Sequence, residues 1–98
     1  MRGESAALPL GAAAVGGGLT VSWPRVSGAD SYRVRLFGAD GTLLLERVIV
    51  DTTFAVAVSS LDAEARHPPL FWDVQARDRL RRVMSRSVLT ASPVPAAP

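Results

Sequence analysis

The sequence predicts an all-β domain, a two-sheet antiparallel sandwich of about seven strands. Three observations carry that expectation. Short runs alternate apolar and polar residues with period two, and turn dipeptides separate those runs at intervals of about ten residues. The chain has 98 residues, 48% of them apolar, which suits one domain with one core.

Taken in order, the first alternating run is Leu19-Thr20-Val21-Ser22-Trp23, with Leu19, Val21 and Trp23 on one face. Ser27-Gly28-Ala29-Asp30 then makes a turn. Tyr32, Val34 and Leu36 form the next apolar face, with Arg33 and Arg35 between them. Asp40-Gly41 follows, a hairpin signal because glycine accepts the positive φ of tight turns. The stretch from Leu43 to Val50 carries apolar residues on both parities. A helix competes there, but the β-branched end Val48-Ile49-Val50 favours a strand, bulged at Glu46-Arg47. Phe54, Val56 and Val58 alternate again, and so do Leu70, Trp72, Val74 and Ala76. Arg82 to Thr90 reads as a last strand of unassigned facing. We expect an N-terminal tail over 1–7, a domain over 8–91 and a Pro/Ala-rich linker or tail over 92–98, where Pro93, Pro95 and Pro98 oppose sheet pairing.

Composition narrows the chemistry. All eleven basic residues are arginine, lysine and asparagine are absent, and the net charge is +2. An excess of Ala, Arg, Gly, Pro and Val without Lys or Asn is what GC-rich codons produce, so the arginines are not by themselves a binding signature. The absence of cysteine removes disulfides, thiolate nucleophiles and Cys-ligated metals. No apolar run approaches the ~20 residues of a membrane helix, so no membrane insertion by this segment is expected. Ala6 to Val15 imitates a signal peptide faintly. Glu4 offsets Arg2, however, and Pro9 and Gly11 interrupt the stretch, so the chain reads instead as a domain cut from a longer protein.

Leu19-Thr-Val-Ser-Trp-Pro24, Gly28-Ala29, Tyr32-Arg-Val-Arg-Leu36 and Phe71-Trp72-Asp-Val74-Gln-Ala76 together resemble the fibronectin type III family, in the bacterial form with Trp-x-Val-x-Ala. The likeness covers about residues 8 to 91. It implies an immunoglobulin-like sandwich in which Trp23 is the core tryptophan of strand B and Tyr32 the tyrosine of strand C. It also implies a non-catalytic module that docks a protein partner or spaces neighbouring domains, extracytoplasmic or secreted rather than cytoplasmic. One position departs from the pattern. The tyrosine that usually opens strand F is replaced by Leu70, and its hydrogen bond is lost with it. His67-Pro68-Pro69 can stiffen the crossing in its place.

Residue chemistry points away from catalysis. His67 is the lone histidine, no Cys or Lys can activate a nucleophile, and Asp62, Glu64 and His67 on one loop make a poor metal cage. We expect no enzyme activity, cofactor or metal. Two surfaces remain as candidate sites. If Tyr32, Val34 and Leu36 point inward, then Arg33, Arg35 and Phe37 point outward, beside Phe71, Asp73 and Arg77 of the neighbouring strand. Pairing Val34 with Val74 would set Arg35 against Asp73 and Phe37 against Phe71. Arginine beside aromatics suits the centre of a protein interface. The competing reading is a cross-strand ion pair with two shielded aromatics. The other surface is a basic loop carrying Arg79, Arg81 and Arg82, suited to phosphate or an acidic protein, with a solvated loop as the competing reading. A nucleic-acid partner is not expected, because neither a wider basic surface nor a stacking platform is evident. The alternative function is an accessory carbohydrate-binding module of a secreted enzyme, for which the outward aromatics are only Phe37 and Phe71.

Overall fold

The computed structural model describes residues 7–61 and 69–92. Its strands are β1 (Gly11–Val15), β2 (Gly18–Ser22), β3 (Ser31–Phe37), β4 (Leu43–Ile49), β5 (Thr53–Ala57), β6 (Leu70–Arg77), β7 (Val83–Arg86) and β8 (Thr90–Ser92), with a 3₁₀ turn at Val58–Ser60. All pairings are antiparallel, in a three-stranded sheet ordered β1-β2-β5 and a five-stranded sheet ordered β4-β3-β6-β7, in which β8 also pairs with β6. The fold is the two-sheet sandwich that period two predicts, with eight strands among the described residues.

Side-chain alternation explains the core. Leu19, Val21 and Trp23 from one sheet meet Tyr32, Val34, Leu36, Leu70, Trp72, Val74 and Ala76 from the other, and all ten are buried. Trp23 packs on Tyr32 with ring centroids 5.5 Å apart, and Trp72 meets the edge of Phe54 at 6.2 Å. Neither indole N–H has an acceptor among the described residues, so both tryptophans stabilise through apolar area and packing alone. Leu70, where the family pattern has a tyrosine, is fully buried and adds a purely apolar contact.

Three local features differ from the sequence reading. β1 comes from the alanine-rich Gly11–Val15, which turns into β2 through Gly16 and Gly17 with φ of 55° and 87°. Positive φ at both central residues defines the hairpin turn whose twist matches its strands. The β4 irregularity lies at Leu44 rather than at Glu46-Arg47. Leu36 faces Leu45 and Phe37 faces Leu43, so Leu44 is the extra residue. Finally, 82–90 is not one strand: Ser87 to Leu89 leave the ladder between β7 and β8. The Ser87 hydroxyl accepts the Val74 N–H at 2.9 Å, and its own N–H donates to the Val74 carbonyl, so it plugs the gap from a buried position.

The ends of the domain rest on few bonds. Leu8 donates its N–H to the Arg86 carbonyl at 3.0 Å, and Ser92 pairs with Leu70 at the end of β8. The remainder of the expected tails, 1–6 and 93–98, and the expected loop residues Asp62, Glu64 and His67 lie outside the described residues. No helix among the described residues is long and apolar enough to cross a membrane, and no group of metal-ligating side chains occurs among them.

Candidate functional site

The outward side of the five-stranded sheet is built by the register of β3 and β6. Val34 pairs with Val74, Arg35 with Asp73, Phe37 with Phe71, Arg33 with Gln75 and Ser31 with Arg77. All six candidate residues Arg33, Arg35, Phe37, Phe71, Asp73 and Arg77 therefore share one face, in the predicted order. Their chemistry is largely directed at one another. Arg35 donates from Nε to Asp73 Oδ2 at 2.8 Å and also from Nη2, while its guanidinium lies 5.3 Å over the Phe37 ring. The Asp73 side chain retains only 9% exposure. Arg33 passes over its direct neighbour on β4, Val48, and pairs diagonally with Glu46. β6 is the central strand of the sheet, which is why Asp73 and Gln75 are buried on the side that faces solvent. A cross-strand network of this kind fixes the sheet and leaves little unpaired charge on its surface.

The turn from β6 to β7 is arranged differently. Asp78 Oδ1 accepts the N–H groups of Leu80 at 2.8 Å and Arg82 at 3.0 Å, and Oδ2 accepts Arg82 Nε at 2.9 Å. Main-chain bonds from Asp78 N–H to the Arg82 carbonyl and from Arg81 N–H to the Asp78 carbonyl close the loop. The Arg82 N–H foremost, then its guanidinium and the Leu80 N–H, hold the Asp78 carboxyl below its ordinary pKa against the opposing effect of desolvation. Arg81 has a φ of 66°, the left-handed conformation that ordinarily costs a side-chain-bearing residue about 1 kcal/mol. Asp78 anchors both flanks of that residue.

These contacts sort the basic residues. Arg82 is engaged by Asp78, whereas Arg79 and Arg81 remain exposed. Arg77, assigned from sequence to the sheet face, lies at its end and lines a cavity of about 450 Å³ together with Arg79, Arg81, Asp30, Asp78, Ser31 and Val48. The structure thus joins one residue of the face to two of the loop. Sequence reasoning passed over Asp30 and Ser31 because they lie at the entry to β3, some fifty residues away; the backbone bond from Asp30 N–H to the Arg77 carbonyl, 2.7 Å, brings them in. A second concavity, about 620 Å³, lies between the sheet margins and is lined by Leu44, Leu45, Arg47, Phe54 and Val56 among others. The outward aromatics of this face are Phe37, over which the Arg35 guanidinium lies, and Phe71 opposite it, whereas Trp23 and Trp72 are interior.

No protein-family model matches the sequence, and no curated protein matches it. Among solved structures, the chain is similar to part of pectate lyase Pel3 from Pectobacterium carotovorum, with a TM-score of 0.64 and 16% identity. That likeness covers 94% of this chain and 28% of the lyase chain. At this identity it shows the fold alone: an all-β two-sheet domain of a kind that occurs within a bacterial pectate lyase.

Proposed function

We infer that this chain is a non-catalytic accessory module, fibronectin type III-like, within a larger extracytoplasmic enzyme that acts on a polysaccharide. The observation that supports this reading most directly is the proportion of the structural likeness: nearly all of this chain corresponds to a minor part of a pectate lyase. Between protein docking and carbohydrate contact, the closed Arg35–Asp73 and Arg33–Glu46 pairs favour the second. They have already committed the charge on the face that a protein partner would use.

Deletion of residues 8–91 from the parent enzyme tests the reading. Turnover of short soluble substrate is expected to stay unchanged while KM for the polymeric substrate rises severalfold. A parent chain with no catalytic domain, or equal activity on the polymer with and without the module, would eliminate it.

A further inference from the structure

We propose that Arg77, Arg79 and Arg81 form an anion-binding cradle that takes the carboxylate of an acidic polysaccharide, with Asp30 and Ser31 receiving its hydroxyl groups. This deepens the accessory reading above and rests on it.

The cradle follows from which arginines the fold leaves free. Arg33, Arg35 and Arg82 are each held by a carboxylate, whereas Arg77, Arg79 and Arg81 have no ion pair or side-chain hydrogen bond among the described residues. All three line the same cavity of about 450 Å³, a size that accommodates one or two sugar rings. Asp78 also lines the cavity, but its charge is offset by the Arg82 guanidinium and its oxygens accept from Arg82 and Leu80, so it is turned to the loop itself. Through those bonds it makes the loop a fixed support and stabilises the left-handed backbone at Arg81, which closes the hairpin between β6 and β7. Guanidinium groups bind planar carboxylates through paired N–H donors.

The lining also discriminates among anions. Asp30 carries a negative charge beside the arginines, and Ser31 adds a hydroxyl. A phosphate dianion could accept from the Ser31 hydroxyl, but it brings a second negative charge beside Asp30 and few hydroxyl donors for that carboxylate. A uronate sugar presents a single negative charge with hydroxyls around it, so the arginines can take the carboxylate while Asp30 and Ser31 accept the O–H donors. No aromatic platform is required, which accounts for carbohydrate contact by a surface without exposed stacking rings.

Calorimetric titration of the whole chain with trigalacturonate, its methyl ester and tripolyphosphate tests the proposal. Trigalacturonate is expected to bind in a salt-sensitive manner, and its methyl ester at least about tenfold more weakly. The double variant Arg79→Gln/Arg81→Gln is expected to lose about tenfold in affinity, whereas Arg25→Gln, an exposed arginine outside the cavity, keeps the parental value. If the double variant melts early, Arg79→Gln alone supplies the same comparison with the turn geometry intact. Equal binding of acid and ester, an equal loss in Arg25→Gln, or tighter binding of tripolyphosphate would each overturn the uronate cradle. So would an absence of trigalacturonate binding by the intact chain. That last result would leave the accessory role standing, since the deletion in the parent enzyme reads it independently.

Discussion

The hydroxyl of Tyr32 accepts the backbone N–H of Val26 at 2.9 Å, tying the connection between β2 and β3 to the floor of the core. The ring itself is buried against Trp23, so a single residue serves the core with its face and the loop with its oxygen. Tyr32→Phe retains the ring and removes the acceptor, leaving the half-buried N–H of Val26 without a protein partner. Urea unfolding is expected to report a loss of about 1–2 kcal/mol with an unchanged m-value. An unaltered midpoint would show that solvent satisfies Val26 equally well.

Trp23 supplies the opposite test, because it contributes packing without a hydrogen bond. Its ring is 5% exposed and its indole N–H has no acceptor among the described residues. Trp23→Ala is expected to cost about 3–5 kcal/mol, a large part of the total stability of a domain of this size. A thermal melt displaced by only a degree or two would contradict the burial.

Arg33 and Arg35 stand two positions apart on the same strand and make equivalent-looking ion pairs, yet their removal is expected to differ. Arg35 pairs with the buried Asp73, so Arg35→Gln leaves a carboxylate with little solvent to compensate it, at a cost of about 2–4 kcal/mol. Glu46 keeps 35% side-chain exposure, and Arg33→Gln is expected to cost less than about 1 kcal/mol. Equal midpoints in chemical denaturation would refute this ranking. The same contrast governs any docking assay on this face: Phe71 and Arg33 can be altered with the fold intact, whereas Arg35 is part of the fold.

Acid sensitivity is expected from the turn at Asp78. Because its folded pKa is lowered beneath the ordinary value of 3.8, the stabilisation it provides is complete above that value and is lost as pH falls through the lower folded value. Asp40, lowered chiefly by the side chain and then the N–H of Thr42, acts in the same direction. Asp78→Asn keeps an acceptor oxygen in the turn but removes the titration. Unfolding midpoints followed from about pH 5 to about pH 2 are expected to fall less steeply in this variant than in the parent. Parallel slopes would mean that other carboxylates carry the acid limb.

Much of the fold was legible in the sequence because β2, β3, β5 and β6 are each covered on one side only, which writes period two into the residues. β1 escaped notice because its inward residues are Ala12 and Ala14, whose hydropathy barely differs from that of the Ala and Gly around them. β4 obscured its own parity in two ways. The extra residue Leu44 shifts the alternation, and Arg47 stands opposite Val34 on the inward parity yet is exposed, because β4 lies at the sheet margin. At the candidate sites, parity set Arg35 beside Asp73 and Phe37 beside Phe71 once the strand neighbours implied by the family resemblance and the pairing of Val34 with Val74 were added. It could not reveal the diagonal reach of Arg33 to Glu46 or the capture of Arg82 by Asp78. Those depend on side-chain rotamers and turn geometry, which carry no periodic trace.

Two of the sheet margins, β1 and β4, have different consequences for the colloidal behaviour of the domain. At the β4 margin, Glu46 and Arg47 make approach by a second strand costly, since a docking chain would have to desolvate both charges. β1, read Gly-Ala-Ala-Ala-Val, has no charge and no proline, and among the described residues it is paired on one side only, by β2. Of these two margins, β1 is therefore the one expected to meet a second copy strand against strand in concentrated solution. A lysine at Ala13, whose side chain is exposed, would raise the concentration at which light scattering begins.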